Sequence, residues 1–162
     1  MKTLMPVLVV AMLSLMGWVS IAGAHCEIPC GIYGDELRYQ LLMEHIETIE
    51  KSMTQIVELS GKAPMNTNQV VRWVTNKDNH AEEFQHIITQ YFMTQRVKPD
   101  DPRKDAGYAK KISLLHAMLF EAMRCKQTTD LQHVELLRKY MGEFHEAYFG
   151  EEAKKHLEEH HK

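Results

Sequence analysis

The fold is decided first by residues 35–60, which read DELRYQLLMEHIETIEKSMTQIVELS. Apolar side chains recur there at steps of three and four residues, namely Leu37, Leu41, Leu42, Ile46, Ile49, Met53, Ile56 and Val57. This spacing predicts one α-helix with a single apolar stripe, because side chains three and four positions apart share a helix face. Gly61 follows directly and predicts the end of that helix.

Three further stretches repeat the pattern. The second helix is predicted to start at a cap formed by Asn66 or Thr67 and to run to about Arg96. Its stripe is Val70, Val71, Trp73, Val74, Ala81, Phe84, Ile87, Ile88, Tyr91 and Phe92. The third helix carries Tyr108, Ile112, Leu115, Met118, Leu119 and Ala122, and the fourth carries Leu131, Val134, Leu137, Met141, Phe144 and Tyr148.

The loops between these stretches are short and contain turn-forming residues. Lys98-Pro-Asp-Asp-Pro102 cannot continue a helix, Thr128-Thr-Asp130 offers a break and a cap, and Gly150 ends the fourth helix. No segment has the pattern of a strand. The sequence therefore predicts an all-α fold, a four-helix bundle over residues 35–150, followed by a charged tail over residues 151–162.

The first 24 residues have the pattern of a signal peptide. Lys2 supplies a basic start, Leu8 to Met16 form an apolar core, and Ala22 and Ala24 complete a cleavage site. The alternative is a membrane anchor, but no basic flank follows the apolar stretch. We expect an exported protein, periplasmic or extracellular, or a cytoplasmic one if residues 1–24 act as a propeptide.

Removing 24 of 162 residues leaves 138, enough for one domain with its own core. Without Lys2, 18 basic side chains face 22 acidic ones, so the net charge is near −4. No basic stripe is present, which argues against a nucleic-acid partner. After processing, we expect no stable association with a membrane.

Residues 25–33, which read HCEIPCGIY, carry the chemistry. Cleavage after Ala24 would give His25 a free α-amine beside its imidazole. Cys26 adds a thiolate and a backbone amide nitrogen, and Cys30 adds a second thiolate. Thiolates combined with several nitrogens suit Ni(II) or Cu(II). The alternative is a Cys26–Cys30 disulfide, which would close a very short loop and leave the N-terminal histidine unexplained.

This nonapeptide resembles the nickel hook of the nickel-containing superoxide dismutase family. The resemblance implies one nickel ion per subunit, bound by His25, Cys26 and Cys30. It implies disproportionation of superoxide to O2 and H2O2 by Ni(II)/Ni(III) cycling, and a homohexamer. Tyr33 would stand over the open face of the metal. Gln90-Tyr91-Phe92 resembles an aromatic step of the same family, which would make Tyr91 the support of Tyr33.

Several alternatives remain open at this stage. The chain could be a non-enzymatic exported protein that binds nickel or copper, or a dithiol module. Tyr33 and Tyr91 could simply pack against the bundle. The family also places a glutamate and an arginine around its first histidine. Glu44, Glu47 and Arg72 are candidates, although the arginine's expected place between Asn76 and His80 holds none.

The other possible ligands are expected to have structural roles. Glu83 and His86 form a Glu-x-x-His step, the motif of di-iron bundles, but the second such step lies in the tail. Cys125 is expected to be a partly buried helix residue without a role. The remaining histidines of the helices are expected at the surface or boundary, namely His45, His80, His116, His133 and His145.

Overall fold

A computed structural model describes residues 34–99 and 106–150 of the chain. The helices are α1 (Asp35–Ser60), α2 (Thr67–His86), α3 (Ala106–Gln127) and α4 (Gln132–Phe149). A π-helical segment, Ile87–Arg96, continues α2 without a break. These described residues contain no strand, and the all-α four-helix bundle is confirmed. Within the same ranges no helix is long and apolar enough to cross a membrane.

The predicted helix ends are confirmed. Gly61 follows α1, and the side chain of Asn66 accepts a hydrogen bond from the Gln69 amide to cap α2. Asp130 accepts a hydrogen bond from the Gln132 amide at the start of α4. Gly150 ends α4 with φ of 82°, a left-handed conformation that favours glycine.

The core is the shared interior of the four stripes. Burial of these apolar side chains is the main force that holds the helices together. At the end of the bundle where α1 begins, aromatic rings join the π-helical segment to α4, with the Phe92 ring centre 5.2 Å from that of Phe144. The largest fully buried side chains are Phe84, Phe92, Phe144, Leu42, Ile46, Ile49, Met53, Ile88, Leu115, Met118, Leu137 and Met141.

The predicted stripes were wrong for Leu37 and Leu131, which are exposed, and they were wrong at the opposite end of the bundle. There the last turns of α1 and the first turns of α2 extend past the end of α3, because Lys77 of α2 contacts the final turn of α3. Among the helices of residues 34–99 and 106–150, none covers the stripe of α1 and α2 beyond that level. We call this region the distal overhang, and its exposed apolar side chains are Val57, Met65, Val71 and Val74.

Lys77 itself is buried and closes the end of α3. Its ammonium group donates to the carbonyl oxygens of Cys125 and Lys126, each at 2.6 Å, and pairs with Asp78 at 3.0 Å. The last carbonyls of a helix have no partner within the helix and carry partial negative charge. A cation inserted from a neighbouring helix satisfies both requirements.

We predict that Lys77→Met lowers the free energy of unfolding by about 2 kcal/mol, because buried carbonyl groups lose their donor. Lys62→Met is the matched control, since it breaks a solvent-exposed pair with Glu58 and should lower the stability much less. Urea unfolding followed by circular dichroism measures both. Equal transition midpoints for the two variants would contradict the role given to Lys77.

Candidate functional site

The predicted nickel ligands His25, Cys26 and Cys30, and the predicted gate Tyr33, lie outside the described residues. The signal peptide and the charged tail lie outside them as well. Among the predicted site residues, Tyr91 is described. The chain enters the bundle at Gly34, and α1 begins at Asp35, two residues after Tyr33. The surroundings of Asp35 are therefore the part of the bundle closest in sequence to the hook, residues 25–34.

Tyr91 lies at this end of the bundle. It is buried, and its ring packs edge-on against that of Phe92, with centres 5.2 Å apart. Its hydroxyl donates to Asp35 Oδ1 and accepts a hydrogen bond of 2.9 Å from Arg96 Nη2. The packing alternative is thus confirmed for the ring, while the hydroxyl belongs to a polar group of residues. Support of Tyr33 by Tyr91 stays a prediction.

The carboxylate of Asp35 brings three helical segments together. Oδ1 pairs with Arg96 Nε at 2.7 Å, and Oδ2 accepts a hydrogen bond of 2.7 Å from the hydroxyl of Tyr148 on α4. We call Asp35, Tyr91, Arg96 and Tyr148 the Asp35 cluster. Partial burial alone would raise the pKa of Asp35. The hydrogen bonds from the two tyrosines and the charge of Arg96 outweigh burial and hold the pKa below its ordinary value.

The π-helix accounts for the pairing of Tyr91 with Arg96. In this geometry residues i and i+5 lie one turn apart, whereas an α-helix brings i and i+4 together. The side chains of Thr94 and Gln95 likewise bond carbonyls five residues earlier, at Thr89 and Gln90. Sequence reasoning missed Asp35, Arg96 and Tyr148 as neighbours of Tyr91. No local signal marks them, because 113 residues separate Asp35 from Tyr148.

Cations surround the two tyrosines of the cluster. The guanidinium carbons of Arg38 and Arg96 lie 5.5 and 4.8 Å from the centre of the Tyr91 ring. The ammonium of Lys111 lies 5.9 Å from the centre of the Tyr148 ring. These distances are within the range of cation–π attraction. Each of these three cations therefore lies against one of the two tyrosine rings of the Asp35 cluster.

The other sequence candidates lie outside the Asp35 cluster. Glu44, Glu47 and Arg72 are all exposed, and Arg72 lies in the first turns of α2, at the distal overhang. Each was predicted to be a neighbour of His25, which lies outside the described residues, so these roles stay predictions. The arginine of the π-helical segment that contacts the start of α1 is Arg96, which lies sixteen residues after His80, the end of the stretch where one was expected.

Glu83 and His86 are exposed, so they cannot form the core-facing half of a di-iron site. Throughout the part of the chain that the structure describes, no group of three or more histidine, cysteine or acidic side chains could hold a metal ion. Cys125 is completely buried, more than predicted, and burial raises the pKa of its thiol to about 12. Such a thiol stays protonated and is a poor metal ligand.

The structure buries His145, and it brings His45 and His80 into contact. His145 was expected at the surface or boundary, but it is buried, with its ring 4.5 Å from that of Tyr39 and 4.7 Å from that of Phe149. His45 and His80 are half-buried, and their Nδ1 atoms lie 2.8 Å apart between α1 and α2. Burial, and then the nearby His80, lower the pKa of His45. Both arrangements depend on tertiary packing, which the helical period does not encode.

Comparison with known families extends the match beyond the nonapeptide. The family described as nickel-containing superoxide dismutase matches residues 20–152, a span that includes the hook and all four helices. A comparison with curated proteins and one with solved structures each gave no significant match. The family match covers most of the chain and favours the enzyme over the non-enzymatic metal-binding protein. The chain thus belongs to the nickel-containing superoxide dismutases, oxidoreductases that use a nickel cofactor to convert superoxide to O2 and H2O2.

Proposed function

We propose that the nickel ion of this enzyme is bound by His25, Cys26 and Cys30. The donors are the α-amine and imidazole of His25, the amide nitrogen and thiolate of Cys26, and the thiolate of Cys30. The observation that carries this assignment is the burial of Cys125, the third cysteine of the chain. With that thiol enclosed in the core, Cys26 and Cys30 are the thiolates left for the metal. A donor set of two thiolates and several nitrogens fits nickel chemically.

Bound nickel supplies the one-electron cycle between Ni(II) and Ni(III) that dismutation requires. The residues of the chain set the conditions for that cycle. With nickel bound, the anionic thiolates and a deprotonated amide would donate electron density to it and favour its oxidised state. Tyr33 would donate a hydrogen bond at the metal site and limit access to small anions, and Tyr91 would support Tyr33.

Exposure of the His25 amine requires removal of residues 1–24. We propose that a signal peptidase does this during export, so that the enzyme acts in the periplasm or outside the cell. If residues 1–24 are a propeptide, processing and function are cytoplasmic. The mature protein then consists of the hook at residues 25–34, the bundle at residues 35–150 and the charged tail at residues 151–162.

We predict that nickel binding and activity require His25 to be the first residue. One extra alanine before His25 moves the α-amine away from the other donors, so superoxide decay should fall to background. The measurement compares the processed and the extended chain, each incubated with nickel and assayed for metal content and rate. Equal rates for the two forms would refute the N-terminal ligand assignment.

We predict that Cys26→Ser and Cys30→Ser each abolish nickel binding and dismutation, because a serine hydroxyl does not ionise at neutral pH. Helical content should stay near that of the unchanged chain, since both positions precede the bundle. Cys125→Ala is the control: it removes the third thiol and should keep nickel and activity, with some loss of stability from the small cavity. A Cys26→Ser protein that retains nickel would contradict the assignment.

We further propose that the enzyme is a homo-oligomer, a hexamer as the family resemblance implies. The distal overhang supports an interface, because Val57 and Val71 are each more than half exposed on adjacent helices. Contiguous exposed apolar surface of this kind marks contact sites. The Ser52–Asn76 hydrogen bond of 3.0 Å sets the antiparallel pairing that brings Val57 level with Val71.

We predict that the double variant Val57→Lys and Val71→Lys lowers the molar mass of the assembly, as measured by light scattering after size-exclusion chromatography. Like charges facing each other across an interface repel and resist desolvation. Asn79→Lys is the control, an exposed position on α2 away from the overhang. An unchanged molar mass for the double variant would place the interface elsewhere.

A further inference from the structure

The Asp35 cluster contains more interactions than the start of a helix requires. An acidic residue in the first turn of a helix is favourable through the helix dipole alone. Asp35 instead binds three side chains from two other helical segments, and both of its carboxylate oxygens are used. These contacts hold the first residue of α1 more firmly than the helix alone requires.

The position of Asp35 in the chain suggests the reason. Five residues separate it from Cys30, and a chain spans at most about 3.6 Å per residue, so the two Cα atoms are at most about 18 Å apart. Any movement of the first turn of α1 would move the point at which the hook joins the bundle. A metal site needs its supporting groups held closely, because a shift of about 1 Å lowers rates about a hundredfold in other enzymes.

The cluster also fixes the Tyr91 hydroxyl. Its proton is donated to Asp35, and its oxygen accepts from Arg96. Any other hydrogen bond that this hydroxyl makes must therefore be one that it accepts. Burial, and then the hydrogen bond to Asp35, raise the pKa of Tyr91, whereas the hydrogen bond from Arg96 lowers it. The two partners of one hydroxyl thus have opposite effects on its ionisation.

We propose that Asp35, Arg96 and Tyr148 are positioning residues for superoxide dismutation. They hold the point at which the hook joins the bundle and fix the orientation of the Tyr91 hydroxyl. The inference rests on the proposed function, in which the hook binds the nickel. None of the three residues touches the metal or the substrate in this mechanism. They act through the start of α1 and through Tyr91.

The experiment compares Asp35→Asn, Arg96→Met and Tyr148→Phe with the unchanged enzyme, all loaded with nickel. We expect each to keep about one nickel per subunit. The rate constant should fall about tenfold for Asp35→Asn and Arg96→Met, the lower end of the range for residues that orient metal ligands. Tyr148→Phe should fall less, because it removes a single hydrogen bond. The electron paramagnetic resonance signal of the oxidised nickel should shift in the variants that lose the most activity.

The pH profile separates positioning from simple bracing of the helices. We expect activity to decline at alkaline pH as the Tyr91 hydroxyl ionises. Without the Asp35 carboxylate the pKa of that hydroxyl is lower, so the decline should move to lower pH in Asp35→Asn. Without Arg96 it ionises less easily, and the decline should move to higher pH in Arg96→Met. The other groups that face the two tyrosines, Arg38 and Lys111, stay the same in both variants. A brace alone would give no opposite shifts.

Glu50→Gln is the matched control. It removes the charge of another carboxylate that pairs with an arginine. Glu50 of α1 lies 2.6 Å from Arg138 of α4, farther along the bundle. It should change neither the rate nor the pH profile. If the three cluster variants lose thermal stability but match Glu50→Gln in rate, pH profile and nickel signal, the positioning role is wrong.

Failure of this inference can be distinguished from failure of the ligand assignment. Cys26→Ser, assayed in the same series, tests the ligands alone. Should it keep its nickel, the proposed site is wrong, whatever the cluster variants do. Should it lose nickel while the cluster variants behave like Glu50→Gln, the site stands and the positioning role is overturned. Arg96→Lys provides a variant that keeps the charge if Arg96→Met does not fold.

Discussion

The carboxylate of Asp35 joins the first residue of α1 to the π-helical segment and to α4. Two tyrosine hydroxyls and one guanidinium converge on it, which keeps it ionised although it is partly buried. The aromatic rings of Phe92, Phe144 and Tyr148 pack just beneath it. Polar and apolar contacts therefore reinforce each other at the end of the bundle that carries the hook. At the other end the α1–α2 hairpin extends past the ends of the other described helices.

The helices could be predicted from the sequence because their signals are local. The period of the apolar side chains placed α1, and Gly61, Asn66 and Gly150 marked helix ends through their own backbone preferences. The hook could be recognised because its ligands lie within six residues. The π-helix could not, since Ile87, Ile88, Tyr91 and Phe92 fit an α-helical stripe equally well. The Asp35 cluster depends on contacts between segments far apart in sequence, which no periodicity reveals.

The exposure of the distal overhang could not be predicted from the sequence either. Val57 and Val71 continue stripes whose inner members are buried, so their pattern gives no hint that the covering helices have ended. That information lies in the relative lengths and offsets of four helices. His145 is a similar case, because its burial against Tyr39 and Phe149 follows from the crossing of α1 and α4. The sequence identifies candidate residues, but the packing of the helices determines which of them are in contact.

The burial of Cys125 has a consequence for an enzyme that produces hydrogen peroxide. Peroxide attacks the thiolate form of cysteine and converts it first to sulfenic acid and then to irreversible oxides. A thiol with a pKa of about 12, without contact with solvent, presents almost no thiolate to such an oxidant at neutral pH. The buried thiol is thus resistant to the product of the reaction, and oxidation of cysteine should be confined to thiols outside the core of the bundle.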